Sequence, residues 1–268
     1  MRYFGLSFQF IVRNFLYLAV FCAVPSFILA YYYRDSSLFI FFKSLFSDTP
    51  VNSYFFFSFI SNETWYFGVG ILLLIGVTFS FAFAYINRVL KIGSRSIGKS
   101  FKKTSESLVP VFLVLFVLII VVQAFAFLAW GIVALMLLSN DVLMYRVLIP
   151  ISLTVLYSGM LFLIFKLFMA IPTMLTLGYK FRESMGYSIK LSAGKIFKFA
   201  LATFIIFLII LGLSSFSNIL YDALWFRLII STICYMLFFT YFPALTMIAF
   251  YDINGMNRLD VKRKFIYS

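Results

Sequence analysis

The sequence predicts an all-α fold, a polytopic integral membrane helical bundle of about six transmembrane helices arranged as three tandem units of interfacial helix and two spans. Three observations carry this reading. Hydrophobic residues make up 64% of the 268, charged residues only 12%, and mean hydropathy is +1.06, whereas a soluble domain carries roughly 25% charged residues. The apolar residues gather in blocks of the length a helix needs to cross the hydrocarbon core, about 20 residues. The cations gather in the gaps between alternate blocks, and one short motif recurs at the entry to three of those blocks.

Taken in order, spans are expected at residues 15–32, 67–86, 108–138, 147–177, 199–216 and 228–250. The first follows a basic start, but its apolar stretch exceeds the 7–15 residues of a signal peptide. It reads as a retained span behind a short amphipathic helix. The third and fourth blocks are longer than a perpendicular crossing requires, so they must tilt, kink or extend past the hydrocarbon. Pro110 and Pro150 lie near their starts, where proline is tolerated. Between the first two spans, residues 34–66 form the longest outer loop, with apolar runs at 38–42 and 54–60 that are too short to cross. These runs lie flat on the leaflet, dip back into it or cap the bundle. Asp35, Asp48 and Glu63 match no metal-ligand or paired-carboxylate spacing, and Asn62-Glu63-Thr64 is a glycosylation sequon only in a eukaryotic secretory setting.

Orientation follows from Lys and Arg, which concentrate in cytoplasmic segments. All but five of the 22 fall at the start of the chain (Arg2, Arg13), in the gaps after the second and fourth spans (Arg88 to Lys103, Lys180 to Lys198) or after the sixth (Arg258 to Lys264). Only Arg34, Lys43, Arg146 and Arg227 fall on the other side, with Lys166 inside a block. An even number of spans with this bias puts both termini in the cytoplasm.

The recurring motif reads Gly5-Leu-Ser-Phe-Gln, Gly98-Lys-Ser-Phe-Lys and Gly186-Tyr-Ser-Ile-Lys. In each copy Gly-x-Ser would open an interfacial helix, with Gly or Ser near the N-cap, before the chain turns into the membrane. The single transmembrane domain, residues 1–268, thereby divides into units of about 1–92, 93–180 and 181–268. Pro172-Thr-Met-Leu-Thr and Pro243-Ala-Leu-Thr-Met match near the ends of the fourth and sixth spans, although the first unit has Ala84 at that place. Each unit holds two spans, so all share one orientation, unlike the inverted repeats of many secondary transporters.

The Gly-x-Ser-[Phe/Ile]-[Gln/Lys] openings, six spans and proline-bearing even spans resemble a diverse group of bacterial inner-membrane proteins of uncertain function. That group is similar to the membrane domain attached to some glycerophosphodiester phosphodiesterases. The chain has no soluble phosphodiesterase domain, so the resemblance implies a membrane module that works beside partners or on lipids.

Catalysis is not expected. The chain has no histidine, which removes His acid/base chemistry, His-containing zinc sites and His proton relays. It has no Walker motif, Gly-x-Ser-x-Gly, Cys-x-x-Cys or metal-binding acid cluster, and no cofactor is implied. Cys22 and Cys234 sit in apolar blocks and read as packing residues. The 22% aromatic content, with 38 Phe and 17 Tyr, reads as AT-rich codon usage unless rings converge on one face.

Lys166 is the one cation far from a block edge. It either binds an anionic headgroup or anion within the bundle, or lies nearer the inner interface and snorkels. Gln123 and Asn218 are intramembrane polar candidates that would hydrogen-bond between helices. Arg95, Lys99, Lys102 and Lys103 are the strongest candidates for contact with anionic lipid headgroups on the cytoplasmic side. The net charge of +13 is accounted for by topology and lipid attraction, and no nucleic-acid partner is expected. Two functions are open on the sequence: a non-catalytic scaffold or accessory subunit of a membrane complex that organises lipids, and a permease or lipid/small-solute transporter. A solid apolar core would favour the first; a wet cavity holding Lys166, Gln123 or Asn218 would favour the second.

Overall fold

The computed structural model describes residues 2–32, 65–137, 148–192 and 224–262, together with 201–203, 205–206, 208–210 and 212–213. Eight helices are defined there: α1 (Arg2–Tyr32), α2 (Trp65–Ile92), α3 (Ile97–Leu137), α4 (Ile149–Phe168), α5 (Ala170–Leu177), α6 (Phe181–Ser192), α7 (Leu224–Ile253) and α8 (Leu259–Lys262). No strand occurs among the described residues. Five segments are long and apolar enough to cross a membrane: Tyr3–Tyr32, Val69–Ile92, Ile97–Ala129, Ile151–Leu177 and Leu224–Ile253. The chain is a helical membrane protein. The expected span at residues 199–216 is described only in part, as the shorter apolar helix Leu201–Ile210. The outer loop, its two apolar runs and its three acids lie outside the described residues.

Two boundaries differ from the sequence reading for physical reasons. No separate amphipathic helix precedes the first span, because α1 runs unbroken for 31 residues. Its buried positions Tyr3, Ser7, Phe10, Asn14, Leu18 and Cys22 recur every three or four residues, so one face is continuous from the first turn. Likewise the basic stretch from Ile97 joins the third span in a single helix of 41 residues, and Pro110 lies inside that helix instead of near its start. Proline there leaves the Glu106 carbonyl without its usual donor. The overlong fourth block takes the other course: α4 stops at Phe168, Met169 makes a turn, and α5 restarts at Ala170. Pro172 explains the place, since its ring crowds the carbonyl four residues back, at Phe168.

The spans sort into two layers. Across their apolar windows 61%, 50% and 56% of the residues of α2, α4–α5 and α7 are buried, against 33% and 29% for α1 and α3. In α7, every residue from Phe239 to Tyr251 is buried, as is almost every residue of α2 from Thr78 to Leu90. A helix hidden on all sides is a central one. By contrast α1 shows Val12, Leu16, Val20, Val24 and Tyr31 outward, and α3 shows Val109, Phe116, Ile120 and Phe127. Such one-sided apolar exposure suits lipid tails.

Where α2, α4–α5 and α7 meet, the filling is aromatic. Phe168 packs edge-on against Phe79 (5.8 Å between centroids) and Phe242 (4.5 Å), and beside Phe83 at 6.5 Å. Phe79 in turn meets Phe239 edge-on at 5.2 Å. Edge-on pairing matches the positive rim of one ring to the negative face of another. Gly76 admits the ring of Phe112 from α3, where a Cβ would collide with it.

Glycine ends each central helix. Gly93, Gly178 and Gly255 have φ of 69°, 70° and 63°, the left-handed conformation that closes a helix and that only glycine adopts cheaply. The amides of Gly93 and Gly178 bond the carbonyls of Val89 and Met174, and Met256 N–H bonds the Tyr251 carbonyl. A few residues later α3, α6 and α8 begin. All three turns lie at one end of the bundle, which also carries the start of α1, and we call it the basic end.

Candidate functional site

Most span hydroxyls are satisfied locally, the Ser26 hydroxyl of α1 being buried without a hydrogen-bond partner. Thr78, Ser80, Thr173, Thr176, Thr232, Thr240 and Thr246 each donate to the carbonyl four residues back on their own helix, at 2.5–2.8 Å. A hydroxyl so engaged needs no partner from another helix.

Most side-chain hydrogen bonds that join the described helices lie toward the basic end, the bond from Tyr241 to the Ala202 carbonyl at 3.4 Å being deeper in the bundle. Tyr85 of α2 donates to Asn14 Oδ1 of α1 at 3.3 Å, and Tyr251 of α7 donates to Asn87 Oδ1 of α2 at 3.0 Å. Tyr3 of α1 donates to Asp252 Oδ2 of α7 at 3.0 Å, and Tyr187 of α6 donates to Asn254 Oδ1 at 2.6 Å. Ser107 of α3 reaches the Ser80 carbonyl of α2 at 2.8 Å. Just beyond α7, Arg258 grips Asp260 through two hydrogen bonds, at 3.2 and 2.8 Å. Each phenol keeps its ring among apolar neighbours and places its hydroxyl on a fixed amide or carboxylate, so the belt ties α1, α2, α6 and α7 in register.

The three Gly-x-Ser copies share one burial pattern. Ser7, Ser100 and Ser188 are fully buried, whereas the next residue in each copy, Phe8, Phe101 or Ile189, is exposed. Ser188 donates to the Lys166 carbonyl, joining α6 to α4, and Ser100 donates to the Ser96 carbonyl. The Ser7 hydroxyl has no partner. None of the glycines is an N-cap: Gly5, Gly98 and Gly186 lie within α1, α3 and α6, and a Cβ on any of them would meet nothing within 4 Å.

Arg95, Lys99, Lys102 and Lys103 are exposed around the first turns of α3, beside exposed Phe101. Lys166 is half-buried in the last turn of α4, its Nζ 4.6 Å from the Phe162 ring centroid. Gln123 is partly buried in α3 and its Oε1 has no hydrogen-bond partner. No bond joins Lys166 to Gln123, and Asn218 lies outside the described residues. Cys22 and Cys234 are free, buried thiols. Among the described residues no three His, Cys, Asp or Glu side chains gather as a metal site requires.

Two features escaped the sequence reading. The Tyr–Asn and Tyr–Asp pairs join positions up to 249 residues apart, which no local pattern reveals. Arg88, grouped on sequence with the loop cations, is only 9% exposed, and its Nε is buried without a hydrogen-bond partner. Its place inside α2, five residues before Gly93, was the available signal.

Comparison of the chain with family models, with curated proteins and with solved structures finds no match.

Proposed function

We propose that this protein is a non-catalytic membrane scaffold, an accessory subunit that organises lipids or a larger membrane complex. It would sit in a bacterial cytoplasmic membrane as six spans in three tandem units, with both termini inside. The observation that carries this reading is the ring cluster of Phe79, Phe83, Phe168, Phe239 and Phe242, which fills the place where the three central helices meet. A permease of this topology would need polar groups from several spans around one interior volume there. The span hydroxyls that bond within their own helices, Ser26 apart, support the same reading.

Two features support the tandem units: the equal burial of the motif serines and the left-handed glycine closing each even-numbered span. The cations at the basic end support the orientation, since positively charged loops are retained in the cytoplasm.

Purification in mild detergent with mass spectrometry of co-purifying proteins and lipids tests the function. A stoichiometric protein partner supports the scaffold. A lone protein holding one solute, released by Lys166→Ala, overturns it in favour of transport. Single cysteines at Lys99 and Lys180 in a Cys22→Ser, Cys234→Ser background test the orientation; labelling of either from outside intact cells refutes it.

A further inference from the structure

We infer that Arg88 is the anchor of a phosphate-binding site at the basic end, between α1, α2 and α3. The ligand is a phosphate ester or phosphate ion, carried on an anionic lipid headgroup or free in solution. This goes beyond the scaffold reading and does not require it.

The inference starts from an imbalance. A guanidinium cannot shed its proton at any ordinary pH, so it stays charged when buried, and a buried charge is tolerated only when paired. Arg88 is nine-tenths buried, with its Nε shut off from solvent and unbonded. The inter-helix hydrogen bonds set its level. Asn14 with Tyr85, Ser80 with Ser107, and Asn87 with Tyr251 put Arg88 level with Ile11 on α1, Lys99 on α3 and Asp252 on α7. Polar oxygens at that level take bonds from tyrosines and none from Arg88: Asn14 Oδ1 from Tyr85, Asn87 Oδ1 from Tyr251 and Asp252 Oδ2 from Tyr3. The protein has brought a guanidinium to this depth and left its Nε–H without an acceptor.

An anion completes the arrangement. At the same level lies the positive end of a 41-residue helix, whose N–H groups before Ser100 have no partner within the helix, a standing preference for phosphate. Exposed Arg95 and Lys99 flank the entry from the aqueous side. A planar guanidinium gives two parallel hydrogen bonds to phosphate oxygens, which a lone ammonium cannot. If the basic end is cytoplasmic, the site opens at the headgroup level of the inner leaflet.

Full-length protein in neutral detergent, at constant ionic strength, is melted by tryptophan fluorescence against three probes: inorganic phosphate, micelles containing phosphatidylglycerol, and micelles containing phosphatidylcholine. A rise with phosphatidylglycerol alone assigns the site to a headgroup; a rise with inorganic phosphate assigns it to the free ion. In either case Arg88→Met raises the half-saturating concentration about tenfold, as for loss of a charged hydrogen bond, and leaves the anion-free melting point at or above wild type. A Lys180→Met, Lys190→Met double variant, at exposed positions before and on α6, alters surface charge alone and keeps the wild-type response. Arg88→Lys, which keeps the charge but loses the fork, weakens binding about threefold or more; unchanged half-saturation in that variant overturns the inference even where the Met variant does not fold. It is overturned equally if no probe raises the wild-type melting point, or if the double lysine variant loses the response as Arg88→Met does.

Discussion

Phe168→Ala tests whether the centre of the bundle is packed. Phe168 is 5% exposed and closes α4 at the point where α2 and α7 converge. In a water-soluble core such a truncation costs about 3–5 kcal/mol, part of which is transfer of the ring from water. That part vanishes here, because the unfolded helices remain in lipid as apolar as the interior. What stays is the cavity and the loss of two edge-on pairs, with Phe79 at 66° and Phe242 at 80°, each worth about 0.5–1.5 kcal/mol. The expected cost is therefore about 2–4 kcal/mol. Phe168→Leu, which keeps most of the volume, should cost about 1–3 kcal/mol from the two ring pairs alone. The control is Phe116, 63% exposed on α3, whose truncation should stay within about 0.5 kcal/mol. Reversible unfolding in mixed micelles with increasing sodium dodecyl sulfate, followed by circular dichroism, measures all three. A Phe168→Ala cost no greater than that of Phe116→Ala would refute the packed centre and remove the main support for the scaffold reading.

The same unfolding assay reads three further expectations. Gly178→Ala should destabilise by about 1–2 kcal/mol from backbone conformation alone, since its φ is +70° and no atom crowds the site; Gly98→Ala, in open helix, should instead stabilise by about 0.5–1 kcal/mol. Ser107→Ala removes a bond between α3 and α2 and should cost about 0.5–1.5 kcal/mol, with a double variant at Tyr85 additive if the two contacts are independent. Lys166→Met should cost no more than about 1 kcal/mol, the worth of an ammonium over a ring; a much larger loss would mean that the ammonium serves the bundle in a second way.

The helical class and the segments at 67–86, 108–138 and 228–250 were legible because hydropathy reports the solvent directly, and lipid forces each backbone group to bond within its own helix. Helix starts were less legible. The polar residues before residues 15 and 108 mark where headgroups begin, yet α1 and α3 continue through them because helical hydrogen bonding does not stop at the interface. Gly-x-Ser was visible as a recurrence, but its role was not: the serine is the buried member and the glycine is open. Arg88 stood in a run of cations whose members differ only in azimuth around the helix, and azimuth depends on neighbours that hydropathy does not name. Lys166 read as an isolated charge because the break at Met169, which puts it in the last turn of α4, depends on Pro172.

The partnership of α1 with α7 bears on how the molecule is made. Among the described helices these two pack together most extensively, and Tyr3 and Asp252 are separated by 249 residues. At about 5–20 residues per second, α1 waits roughly 12–50 s for its chief neighbour to leave the ribosome. During that interval Ser7 and Ser26, fully buried in the finished protein, face whatever surrounds a half-built bundle. Escape into bulk lipid would forgo the bond between Tyr3 and Asp252 and the packing of that stripe, and pairing with α2 through Asn14 and Tyr85 covers only part of it. The first helix is thus a natural client for the insertion machinery until the last arrives, and slowing synthesis between residues 92 and 224 should lengthen that association and raise the fraction degraded.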